Sequence, residues 1–210
     1  MRVDLPHDHP FDYQLAMDRL ASYRAPRNKL RNLRLGGDVV RVRKGLYVAP
    51  TFPDRPSSVD PLVLAPLIYG PSYVSLETAL SWYGLIPERV DEITSVTCKR
   101  AKLFRTPLGR FSYLPVNEVA YSYGVGLQSA AGGSFFLAEP EKALCDRIVR
   151  VREVRAPRDI PAFLEDDLRV DLDAVVRMRV SAVRQVAMRY RRQSVNAFLA
   201  WLERHAEMPR

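Results

Sequence analysis

The chain has 210 residues, 47% hydrophobic and 27% charged, the balance of a globular protein with one large or two modest domains rather than a disordered one. Its net charge of +8 points to a polyanionic partner, because clustered Lys and Arg gain from releasing counterions condensed on nucleic acid, although ordinary composition bias gives the same total. Met1 to Pro10 holds Asp4, His7, Asp8 and His9 in place of an apolar signal core, and no later stretch suits a bilayer span, so a cytoplasmic protein with no membrane partner is expected.

His7 and His9 lack a third ligand and read as a disordered end rather than a metal site. Over residues 11–22, Phe11, Leu15, Met17 and Leu20 share a helical face, and Pro26 suits the first turn of a second helix. Across residues 26–35 the inward candidates are Leu30, Leu33 and Leu35, which leaves Arg27, Asn28, Lys29, Arg31, Asn32 and Arg34 on the other faces. Gly36-Gly37 ends this helix. Val39, Val40 and Val42 then lie among Arg41, Arg43 and Lys44, and Gly45 turns the chain into Leu46-Tyr47-Val48, a two-stranded hairpin. Helix, helix, glycine stop and basic hairpin is the layout of a winged helix-turn-helix, which places one helix in the major groove.

Residues 50–61, rich in Pro, Ser and Asp, mark a boundary. The expected division is a winged-helix head at 1–50, a linker at 51–61 and a second domain at 62–210. Within that domain an apolar helix is expected over 62–69, and another after Ser75 as N-cap, with Leu76, Leu80 and Tyr83 on one face and Gly84 at its end. Short β-type runs follow at 93–97, 103–105, 111–114 and 134–137, expected to form one antiparallel sheet. Pro140 opens a helix ending near Arg150, and Val176, Val180, Val183, Ala187, then Val195, Phe198, Leu199 and Leu202, give helical spacing to a tail over 151–210. The fold class is α+β: a winged helix-turn-helix, then a mixed antiparallel-sheet and helix domain with a helical C-terminal tail.

Nine Lys or Arg lie between Arg19 and Lys44 against Asp38 alone, so the positive charge is concentrated where the motif needs it. Arg and Asn pair with guanine and adenine edges, whereas wing Arg and Lys contact phosphate. The candidate DNA contacts are therefore Arg27, Asn28, Lys29, Arg31, Asn32, Arg34, Arg41, Arg43 and Lys44. The alternative is a solvated charged face. Lys99, Arg100, Lys102 and Arg105 form a second basic surface with the same two readings. Arg177, Arg179, Arg184, Arg189, Arg191 and Arg192 alternate with valines, as in packed helices with charged outer faces. Gly132-Gly133-Ser134 with Asp171 and Asp173 is too widely spaced for a nucleotidyltransferase site, and Glu139 and Glu141 suit a helix start. Cys98 and Cys145 have no zinc-type spacing and read as buried, reduced thiols. No catalytic set, metal or cofactor is implied.

Four strings, RVRKGLYV (41–48), YVSLETALSWYGLIP (73–87), VTCKRAKLFRTPLGRFSY (96–113) and AEPEKALCDRI (138–148), together resemble the AbiEi-type antitoxin family. The resemblance covers about residues 11–150. It implies an N-terminal winged helix joined to an antitoxin domain, autorepression through promoter repeats, and a type IV toxin-antitoxin pair in which a neighbouring nucleotidyltransferase toxin is countered, with or without direct contact. It implies DNA contacts within residues 27–34 and 41–44 and antitoxicity after Pro61; repressors on inverted repeats are often homodimers on DNA, although the pattern shows no dimer seam. Family heads usually carry one further helix, for which Met1 to Pro10 is too short, and a small hydroxyl residue often stands where this chain has Glu139. The alternative is a stand-alone winged-helix transcriptional regulator without a toxin.

Overall fold

The computed structural model describes residues 3–50, 59–87 and 90–206. The first sheet belongs to β1 (Phe11–Asp12), α1 (Tyr13–Arg19), α2 (Pro26–Leu35), β2 (Val40–Arg43) and β3 (Leu46–Val48), with strand order β1-β3-β2. The first helix starts later than its apolar spacing suggests. Asp12 accepts the Leu15 N–H at 2.8 Å as N-cap, which holds Phe11 in extended backbone, paired with Tyr47 of β3. Phe11 and Leu15 lie four residues apart and fit either geometry; the cap decides. Leu30 and Leu33 are buried as expected, but Leu35 is 77% exposed. It follows Leu33 by two residues, about 200° around the helix. Gly45, with φ of 84°, makes the hairpin turn that other residues adopt only under strain.

The head core comprises Leu5, Phe11, Ala16, Leu20, Leu30, Leu33, Val39 and Tyr47, among others. Leu5 is therefore packed, and Asp4 pairs with Arg19 at 2.6 Å, so residues 3–10 are not the loose end expected from their histidines. Val42 and Val48 face the other way, into the core of the remaining chain. Of the expected linker, residues 51–58 lie outside the described residues. Its end is structured: Val59 is buried, Asp60 caps the next helix through the Leu62 N–H, and Pro61 is that helix's first residue.

The second part runs α3 (Pro61–Ile68), β4 (Ser72–Val74), α4 (Leu76–Trp82), β5 (Glu92–Thr97), β6 (Lys102–Thr106), β7 (Gly109–Pro115), α5 (Glu118–Tyr121), β8 (Val125–Ala130), β9 (Gly133–Ala138) and α6 (Pro140–Ile148). The sheet order is β6-β7-β5-β4-β9-β8. The sheet is mixed rather than antiparallel. The β6–β7 and β8–β9 hairpins and the β4–β5 pair are antiparallel, but β5 runs parallel to β7 and β4 parallel to β9. Those parallel contacts join segments distant in sequence, which local alternation does not register. The two unforeseen strands are short or weakly patterned: Ser72–Val74 precedes a helix directly, and Val125–Ala130 reads VGLQSA.

After α6 come a 3-10 turn (Pro157–Asp159), α7 (Ile160–Ala162), a π turn (Phe163–Asp167), α8 (Leu172–Val176), α9 (Val180–Tyr190) and α10 (Gln193–His205). These are no tail. Val183, Val186, Val195, Phe198 and Leu202 belong to one core with Val63, Tyr73, Leu80, Phe111 and Leu144. The protein is α+β.

Candidate nucleic-acid interface

Once Leu30 and Leu33 face inward, helical geometry leaves Arg27, Asn28, Arg31, Asn32 and Arg34 exposed on α2. None of these three arginines makes an ion pair with a described residue. Lys29 differs: it is half-buried, with Nζ 5.1 Å from the Tyr23 ring centroid. On the wing, Arg41, Arg43 and Lys44 are exposed. Arg41 Nε donates to the Arg43 carbonyl at 3.3 Å, across an irregularity in the β2–β3 register.

Arg43 has a second task. Its Nη1 donates to the carbonyl of Ile68, the last residue of α3, where a cation also suits the helix dipole. The wing is thereby fastened to the second part of the chain. This docking opens a groove of about 760 Å³ lined by Arg43, Lys44, Tyr69, Gly70, Lys99, Lys102 and Phe104, among others. Two of the four residues of the second basic surface thus join two of the wing residues. Arg100 and Arg105 are exposed but do not line it; the nearby Glu92 carboxyl is held below its ordinary range by hydrogen bonds from Ser112 and then Arg110, with the Arg105 charge adding the least. Within the groove Lys99 Nζ and Lys102 Nζ stand 5.4 and 5.5 Å from the Tyr69 ring centroid, and Lys102 Nζ stands 5.2 Å from that of Phe104. Lys99 also donates to the Gly70 carbonyl.

A quite different charged cluster lies inside the fold, unannounced by any spacing other than an i,i+4 pair. Lys142 and Asp146 of α6 are ion-paired with side chains 1% and 0% exposed. Asp146 accepts hydrogen bonds from Tyr73 at 2.9 Å, from Ser75 at 2.7 Å and from Tyr190. Lys142 Nζ donates to the phenol oxygens of Tyr73 at 2.6 Å and Tyr190 at 3.1 Å, and lies over both rings. Burial, reinforced by the Asp146 charge, pushes both phenols well above their ordinary pKa. These groups satisfy one another away from solvent, an arrangement suited to fixing β4, α6 and α9 together. Ser75 occupies the N-cap position of α4, but its hydroxyl serves Asp146 instead of capping; the following Leu76 has φ of 58°.

Other sequence features have local employment. Glu139 and Glu141 at the start of α6 both bond Arg179, at 2.6 and 2.9 Å, so their task exceeds a favourable dipole. Arg184 pairs with Glu203, and Arg189 lies 4.3 Å from the Tyr123 ring centroid. Gly132 lies in the β8–β9 turn, and Asp171 caps α8. Cys98 is exposed, contrary to expectation, because it lies just beyond the end of β5; Cys145 is buried. Among the described residues, no three or more His, Cys, Asp or Glu are grouped to hold a metal, and no helix is long and apolar enough to cross a membrane.

No family model matches the chain, and no curated protein does. Among solved structures, the chain is similar to the crystal structure of RV2827C protein from Mycobacterium tuberculosis, at 17% identity and a TM-score of 0.49, over 99% of this chain and 79% of that one.

Proposed function

We propose that this chain is a DNA-binding repressor that also serves as the antitoxin of a type IV toxin-antitoxin pair, countering a nucleotidyltransferase toxin. The carrying observation is the exposed row of Arg27, Arg31 and Arg34, without ion partners among the described residues, with Asn28 and Asn32 on α2, in the same small domain as a wing whose Lys44 shares a groove with Lys99 and Lys102. On this reading α2 enters the major groove, where Arg and Asn pair with base edges. Lys44, Lys99 and Lys102 hold phosphates and set affinity without setting sequence. Antitoxicity rests on the family resemblance and is assigned to residues after Pro61.

Removing residues 1–50 would strip Val42 and Val48 from the common core, so the two activities are better separated by substitution. A chain carrying Arg27→Ala, Arg31→Ala and Arg34→Ala should release a reporter driven by its own promoter while still rescuing growth from the neighbouring nucleotidyltransferase. Continued repression by that variant refutes the α2 assignment. Failure of the unaltered chain to rescue growth from a demonstrably toxic partner refutes the antitoxin assignment and leaves a stand-alone regulator.

A further inference from the structure

A second concavity, of about 520 Å³, opens where the end of β7, the end of α6 and the α9–α10 connection meet. Arg150, Arg152 and Arg192 line it, against apolar walls that include Val116 and Val149, and among the described residues its lining holds no carboxylate. Arg150 is fixed by donating to the Pro115 carbonyl at 2.9 Å, while its Nε is buried without a hydrogen-bond partner among the described residues. A buried donor on a cation is costly until an acceptor reaches it. Arg152 and Arg192 are exposed and make no ion pair with a described residue. The nearest carboxyl in sequence, Glu153, accepts the Arg152 backbone N–H at 3.0 Å. At the same rim Arg192 is the N-cap of α10 and makes no side-chain cap hydrogen bond.

Cations here also counter the dipoles at the ends of α6 and α9, but that role calls only for charge, not for three guanidinium groups gathered around a hollow. Guanidinium forks match phosphate oxygens in pairs, and sites for small organic ligands span roughly 300–1,000 Å³. We infer that this pocket binds a small phosphate ester of about mononucleotide size, its phosphate held by Arg150, Arg152 and Arg192 and its organic body against Val116 and Val149. Tyr190, which also lines the pocket, is anchored through Asp146 in the buried network, so the site has a rigid base. This binding is separate from the DNA surface proposed above and does not depend on it.

The test is calorimetric titration of the whole chain with AMP and with adenosine. AMP should bind with a Kd below about 1 mM, and adenosine, which lacks the phosphate, should not bind. Arg152→Gln with Arg192→Gln should weaken AMP at least about tenfold, the order expected when charge-assisted hydrogen bonds to phosphate are removed, without moving the thermal midpoint. Arg177→Gln with Arg204→Gln, a charge-matched change elsewhere, should leave AMP binding intact. Absence of AMP binding overturns the assignment, as does equal weakening by both pairs. It is also overturned if the Arg152 and Arg192 changes weaken promoter DNA but not AMP, since the pocket is then part of the DNA surface.

Discussion

Lys142 and the α2 arginines carry the same charge in opposite surroundings. Lys142 is buried with Asp146, Tyr73 and Tyr190 and has every donor engaged, whereas Arg27, Arg31 and Arg34 stand in solvent without ion partners among the described residues. The first arrangement holds the fold together, and the second leaves charge free for a partner. Net charge treats them alike. Arg43 lies between, exposed on the wing yet bonded to Ile68.

The contrast is broken most severely by Lys142→Met. It leaves the Asp146 charge buried without its ion partner, and removing one member of such a pair costs roughly 3–5 kcal/mol, to be read as a fall in the urea midpoint. If stability is unchanged, the network does not fasten α6. Next come single changes on α2. Arg31→Ala or Asn32→Ala should leave the urea midpoint in place but cost about 1–3 kcal/mol of discrimination between operator and mismatched DNA, measured by competition binding. An equal loss on every sequence would reassign that residue to phosphate.

A smaller effect concerns acid. Burial raises the Glu141 carboxyl, but hydrogen bonds led by the Arg179 side chain outweigh it and hold the net value below the ordinary 4.5. A depressed carboxyl adds stability above its unfolded pKa and loses it as pH falls through the folded value. Chemical denaturation should therefore show stability declining below about pH 4.5, and Arg179→Gln should make that decline shallower. An unchanged profile would mean that other carboxyls set it. The smallest change belongs to the groove. Lys99→Ala with Lys102→Ala should weaken all DNA sequences nearly equally and reduce the salt slope by about 2, one for each lysine–phosphate pairing removed.

Sequence pattern makes the head largely visible, because Pro26, Gly36, Gly45 and the valines of the hairpin act through local rules. Phe11 escapes, since a capping bond overrides its helical spacing. The central sheet is less legible because β4–β9 and β5–β7 join distant segments. The basic surfaces can be read one at a time, but their union in a groove depends on the wing docking at Ile68. The inner network illustrates the limit best. Tyr73 and Ser75 lie in one of the strings behind the family resemblance, Lys142 and Asp146 in another, and their meeting shows that those strings include packing partners.

The most direct test of the account is fluorescence anisotropy of the chain with its own promoter DNA and a scrambled duplex, across a salt series. Binding to the promoter should be preferential and salt-sensitive. The Arg27, Arg31 and Arg34 alanine variant should lose that preference, and Lys99→Ala with Lys102→Ala should keep it at lower affinity. Promoter binding by the α2 variant equal to that of the unaltered chain would rule out α2 as the reading helix.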